Sequence, residues 1–95
     1  MDRKQLIERL KGMLDELDND FEQYQIKAEQ AGERARHEWE RRKLELKEHQ
    51  AELKAQLESA RNESNAHWEE VKANAEKTWE STKAGLKDIR DNLFK

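Results

Sequence analysis

Cysteine and proline are both absent from this 95-residue chain, and glycine occurs only three times. Without cysteine there is no disulfide framework and no thiol chemistry. Without proline, nothing in the sequence forces a helix to stop. Gly12, Gly32 and Gly85 lie twenty or more residues apart, so no glycine-rich loop exists to cradle a phosphate. Apolar residues are scarce as well, at 34% of the chain, where a globular domain usually carries about 45–50% with glycine counted. No segment approaches transmembrane length. The opening MDRKQLIERLKG also lacks the apolar core of a signal peptide, so a cytoplasmic protein is expected.

What remains is charge and strong helix formers. Asp, Glu, Lys and Arg make up 43% of the residues, and Ala, Leu and Gln supply nearly half of the rest. Such a composition favours long helices that bury a narrow stripe. The formal net charge of −3 divides into −3 over residues 1–32, +1 over 33–61 and −1 over 62–95. No part is basic enough to read as a nucleic-acid footprint.

From residue 7 the apolar and small residues step by threes and fours: Ile7, Leu10, Leu14, Leu17, Phe21, Tyr24, Ala28, Ala31, Ala35. This is a seven-residue repeat, the pattern of a left-handed coiled coil. Its first six members form the expected oligomer seam. After Ala35 the register fails and Trp39 takes over. Beyond Leu46 the columns have a period of eleven: Leu46, Leu57, Trp68, Trp79; then His49, Ala60, Val71, Thr82, Leu93; then Leu53, Ser64, Ala75, Leu86. An eleven-residue period overshoots three helical turns by roughly 20°, so a straighter helix is expected there. Gly12, Gly32 and Gly85 sit alone in helical sequence and supply no turn by themselves. The best interruption is 62-NESNA-66, where Ser64 or Asn65 would cap a new helix and Glu69 and Glu70 would suit its positive end.

Each histidine has a glutamate four residues earlier, in the pairs Glu33–His37, Glu45–His49 and Glu63–His67. That spacing shares a helix face, yet neither Glu-x-x-His nor His-Glu-x-x-His is present. The pairs read as solvated, with His49 a partly buried polar position in a seam column. Arg34, Arg36, Arg41, Arg42 and Lys43 surround Trp39, but interleaved glutamates make this a salt-bridged face rather than a phosphate-binding one. Trp68 and Trp79 share one stripe, three turns apart. They pack either on another helix or on a lipid surface, where tryptophan also concentrates; the helix seam is the reading favoured.

Four stretches, MDRKQLIERLKGMLDELD, KAEQAGERARHEWE, ELKAQLESA and AHWEEVKANAEKTWESTKAGLKDI, carry a likeness over nearly the whole length. The chain resembles the small bacterial coiled-coil-domain-containing proteins, some of them labelled stress-response proteins. Their tails share the two tryptophans eleven residues apart, here Trp68 and Trp79. Val71 stands where leucine is usual, and Asn74 where glycine is common. The resemblance implies no catalytic residue, cofactor or partner.

These readings predict a single extended all-α domain over residues 1–95, with a helix over about 2–61, a turn at 62–66 and a helix over about 65–94. The second helix either folds back as an antiparallel coiled-coil hairpin or continues as one rod. The seam Ile7, Leu10, Leu14, Leu17, Phe21 and Tyr24 then lacks an intrachain partner, so a homo-oligomer is expected. The packing or surface-binding stripe is Trp39, Leu46, Leu53, Leu57, Trp68, Val71, Trp79, Leu86 and Leu93. The functional expectation is a non-enzymatic structural or assembly protein, linked to stress through the resemblance. A peripheral binder of lipid or hydrophobic granule surfaces is the alternative, and a nucleic-acid-associated basic helix the distant one. No catalytic, cofactor or metal site and no small-molecule substrate is expected.

Overall fold

The computed structural model describes residues 2–62 and 67–94. They form three helices: α1 (Arg3–Ala31), α2 (Glu33–Arg61) and α3 (Trp68–Leu93). Helix α1 begins at a capping box. The Asp2 carboxylate accepts the Gln5 amide at 2.8 Å, and the Gln5 side chain accepts the Asp2 amide at 3.1 Å. Two of the amides that a helix start leaves unpaired are thereby satisfied. At the other end of α2, the Arg3 guanidinium donates to the carbonyls of Ala60 and Arg61 at 3.5 and 3.3 Å. A cation there meets the negative end of the helix dipole. Glu69 and Glu70 occupy the first turn of α3, and its first carbonyl, on His67, accepts from the amides of Glu70 and Val71.

The helices lie side by side in an up-down-up bundle measuring 49 × 18 × 17 Å. Helix α2 runs antiparallel to α1, bringing Arg3 to Arg61 at one end and Gln25 to Trp39 at the other. Helix α3 runs antiparallel to α2, with Gln56 beside Thr78 and Arg42 beside Asp88. Helix α1 is parallel to α3 and packs against it least closely of the three pairs. The buried residues step by threes, fours and sevens: Leu6, Leu10, Met13, Leu17, Tyr24, Ala28 on α1; Trp39, Leu46, Gln50, Leu53, Leu57, Ala60 on α2; Ala75, Trp79, Thr82, Leu86, Ile89 on α3. A stripe of that spacing keeps one helix side toward the core.

Of the two arrangements open to the sequence, the folded-back one is present. A rod is incompatible with a longest dimension of 49 Å, because residues 3–61 alone would span about 90 Å at 1.5 Å per residue. Two expectations need correction. The helix expected over 2–61 is two helices, divided at Gly32. The seam expected to lack an intrachain partner has one: Leu10, Leu17 and Tyr24 are buried, while Ile7, Leu14 and Phe21 are half-buried beside the same core. The physical reason lies in Gly32, whose φ of 111° and ψ of 178° fall in a region essentially reserved for glycine. One residue in that conformation turns the chain back, and the apolar stripe of α1 then covers that of α2. The turn expected at 62–66 lies outside the described residues apart from Asn62, whose amide donates to the Ser59 carbonyl at 3.3 Å.

Two glycine substitutions should therefore act in opposite directions. A Cβ at Gly32 would meet nothing within 4 Å, so the constraint there is backbone conformation alone. Gly32→Ala should cost about 1–3 kcal/mol. Gly12 is helical, exposed and equally unobstructed, so Gly12→Ala should stabilise by about 0.5–1 kcal/mol. Urea denaturation of the three proteins followed by circular dichroism measures both.

Candidate functional site

Four of the six aromatic side chains gather at the end of the bundle nearest Gly32. Trp39, two turns into α2, is fully buried, with the Phe21 ring 6.1 Å and the Tyr24 ring 5.6 Å from it. The Phe94 ring, just past α3, lies 5.2 Å from Tyr24 in an edge-to-face contact. Lys27 holds its ammonium 5.8 Å and 6.0 Å from the Tyr24 and Phe94 rings, within reach of cation–π attraction. Polar atoms of the cluster are paired. The indole Nε1 of Trp39 donates to Gln25 Oε1 at 2.8 Å, and the Tyr24 hydroxyl donates to the Leu86 carbonyl at 3.2 Å. Burial, with Asp20 nearby, pushes the Tyr24 hydroxyl above its ordinary value and keeps it a donor.

A row of polar contacts links α2 to α3. Thr82 Oγ1 donates to the Thr78 carbonyl at 2.8 Å, so it can only accept at its 3.0 Å contact with His49 Nδ1. His49 Nδ1 is therefore the donor in this contact. One turn earlier the arrangement repeats: Thr78 Oγ1 donates to the Asn74 carbonyl at 2.9 Å and accepts from Gln56 Nε2 at 3.2 Å. The buried Gln56 Oε1 has no protein partner among the described residues. Between α1 and α2, Gln50 Nε2 donates to Asp18 Oδ1 at 2.6 Å. Each contact ties one residue to a partner on the neighbouring helix, and losing it would leave a part-buried polar atom unpaired.

The surface offers shallow grooves. One of about 600 Å³ near Gly32 has an apolar floor of Ala31, Ala35 and Leu93, with Arg34 and the Arg42–Asp88 ion pair at its rim. Another, of about 480 Å³ between α1 and α3, sets Glu16 and Asp20 opposite Lys83, Lys87 and Arg90. Partial burial, then the neighbouring Glu16, raises the Asp20 carboxyl above its usual range, while Lys27 works the other way.

The structure gathers the stripe residues Trp39, Leu46, Leu53, Leu57, Trp79 and Leu86 into one core, with Trp68, Val71 and Leu93 half-buried against it. Within the single chain, Trp68 and Trp79 therefore pack on protein. Leu6, Met13, Gln50 and Ile89 are core residues that the sequence reading did not single out. Ile89 falls between the eleven-residue columns, yet the steps Thr82, Leu86, Ile89, Leu93 would have found it. His49 is half-buried, His37 and His67 are exposed, and Glu63 lies outside the described residues. Three arginines of the basic segment have carboxylate partners: Glu33 for Arg36, Glu38 for Arg41 and Asp88 for Arg42. Among the described residues no group of three or more His, Asp or Glu side chains is placed to hold a metal ion. No described helix is long and apolar enough to cross a membrane. No protein-family model, curated protein or solved structure matches the chain.

Two outcomes follow from this packing. Trp39→Ala should cost about 3–5 kcal/mol, as for a buried aromatic truncated to alanine, measured by urea denaturation. Asp20 has a raised carboxyl, so its ionised form opposes folding. Asp20→Asn should stabilise the protein at neutral pH. That advantage should vanish as pH falls below the ordinary carboxylate range, where Asp20 is protonated in both folded and unfolded chains. Thermal melts across that pH range test the sign.

Proposed function

We propose that this protein is a non-enzymatic helical module whose role is structural, exerted by assembling with other protein surfaces. The observation that carries this reading is where the large apolar side chains sit. Of the stripe, Trp39, Trp79, Leu46, Leu53, Leu57 and Leu86 lie in the chain's own core, and Trp68 and Leu93 are half-buried against it. What faces outward is a charged surface on a bundle 49 Å long, with the shape of a strut. The likeness to small bacterial coiled-coil proteins, some labelled as stress-response proteins, supports a role in stress, and cytoplasmic residence fits the same reading. Surface binding to lipid or granules through Trp68 and Trp79 would require α3 to leave the bundle.

Tryptophan emission separates the two readings. For the structural module, emission is blue-shifted in lipid-free buffer and unchanged by added vesicles. A photo-crosslinking residue at the exposed Leu44 then yields discrete protein adducts in cells. Emission that shifts to the blue only when vesicles are added, with no protein adducts, would replace this reading by the lipid-surface one.

A further inference from the structure

The fold divides the seven-residue seam of α1 into two. Leu10, Leu17 and Tyr24 point into the core, whereas Ile7, Leu14 and Phe21 remain half-buried along the shoulder beside α2. These three are seven residues apart, so they form a row along one side of the helix that drifts by roughly 20° per step. Their neighbours on the outer side are Lys4, Lys11, Asp15, Asp18 and Glu22, all exposed. Lys4 and Lys11 flank Ile7, Lys11 and Asp18 flank Leu14, and Asp18 and Glu22 flank Phe21, over which Lys47 of α2 also stands. Lys4, Asp15 and Glu22 make no ion pair among the described residues, and Lys11 reaches only the exposed Glu8, at 3.9 Å. Asp18 spends one oxygen on Gln50 and leaves the other available.

We propose that this shoulder of α1 is a self-association surface, and that its occupant is the α1 shoulder of a second copy laid antiparallel about a twofold axis at Leu14. That alignment sets Ile7 against the second copy's Phe21 and Leu14 against its counterpart. It also sets Lys4 near the second copy's Glu22, and Lys11 near its Asp15 and Asp18. The twofold axis makes every such contact twice. A parallel alignment would instead bring Lys4 to Lys4, Lys11 to Lys11 and Asp15 to Asp15, with like charges opposed. The charge order along α1 therefore selects the antiparallel pair. Lys47, whose ammonium stands 5.8 Å over the Phe21 ring in the single chain, swings aside to admit the second copy's Ile7. The pair is consequently reversible and weakened by salt, because its specificity resides in exposed charges. This inference rests on the reading of the protein as an assembly module and names its first partner.

Charge reversal tests it. One variant carries Lys4→Glu and Lys11→Glu, the other Asp15→Lys and Glu22→Lys. All four positions are exposed, and circular dichroism establishes that both variants fold. In sedimentation equilibrium at low salt the wild type should dimerise. Each variant alone should self-associate about tenfold or more weakly, and an equimolar mixture of the two should recover a dimer. A wild type that stays monomeric at hundreds of micromolar would overturn the self-association. A dimer indifferent to both reversals would overturn this surface while leaving the assembly reading intact.

Discussion

Everything in this bundle depends on the single-residue reversal at Gly32. Two helices of 29 residues each meet there with no loop between them. The positive φ of that glycine sends α2 back along α1, and the absence of slack fixes which residues face each other. Trp39 lands against Phe21 and Tyr24, Gln50 against Asp18, and the end of α2 against Arg3. A longer connection would have let α2 slide or rotate. The backbone conformation of one residue is thus converted into a register along the full length of the hairpin.

A chain that is 34% apolar cannot fill a thick core, and the bundle is correspondingly thin. Its specificity comes from paired polar atoms as much as from packing. The two threonines of α3 each satisfy their own hydroxyl proton on a carbonyl one turn back, leaving a lone pair for a side chain of α2. Such bonds add only about 0.5–1.5 kcal/mol each, but breaking one inside the bundle strands its partners. They act as register marks for α3, which has no one-residue link to hold it. Surface ion pairs such as Arg9–Glu76, at 2.8 Å with both side chains about two-fifths exposed, contribute less, since solvent screens them.

Several large apolar side chains are left partly open, with Ile7, Leu14, Phe21, Trp68, Val71, Leu93 and Phe94 half-buried beside the core. Leu44 and Ile26 stand exposed and isolated on outer faces, at 70% and 49%, and single exposed leucines are ordinary on protein surfaces. The row Ile7, Leu14, Phe21 differs because it is aligned, half-buried and bordered by charge. That row is the surface on which the proposed self-association rests.

Periodicity and composition in the sequence were enough to determine that the chain is helical, which sides of the helices are apolar, and that Trp39, Trp68 and Trp79 belong to an apolar stripe, whose covering, by protein or by a lipid surface, stayed open. Helix propensity and the three-to-four-residue step are local properties, and they survive into any fold the chain adopts. The partner of each stripe was not legible. A seven-residue seam reads the same whether a second molecule covers it or a later segment of its own chain does. The choice fell to Gly32, because an isolated glycine costs a helix only about 1 kcal/mol and so marks a break no more strongly than Gly12 does. Burial of the α1 stripe against α2 favours the reversal at Gly32, and that gain exists only once the two segments, far apart in sequence, are in contact. The same holds for His49 with Thr82 and Gln56 with Thr78. Each residue by itself is an unremarkable polar group on a helix, and tertiary packing alone brings the donor to its acceptor.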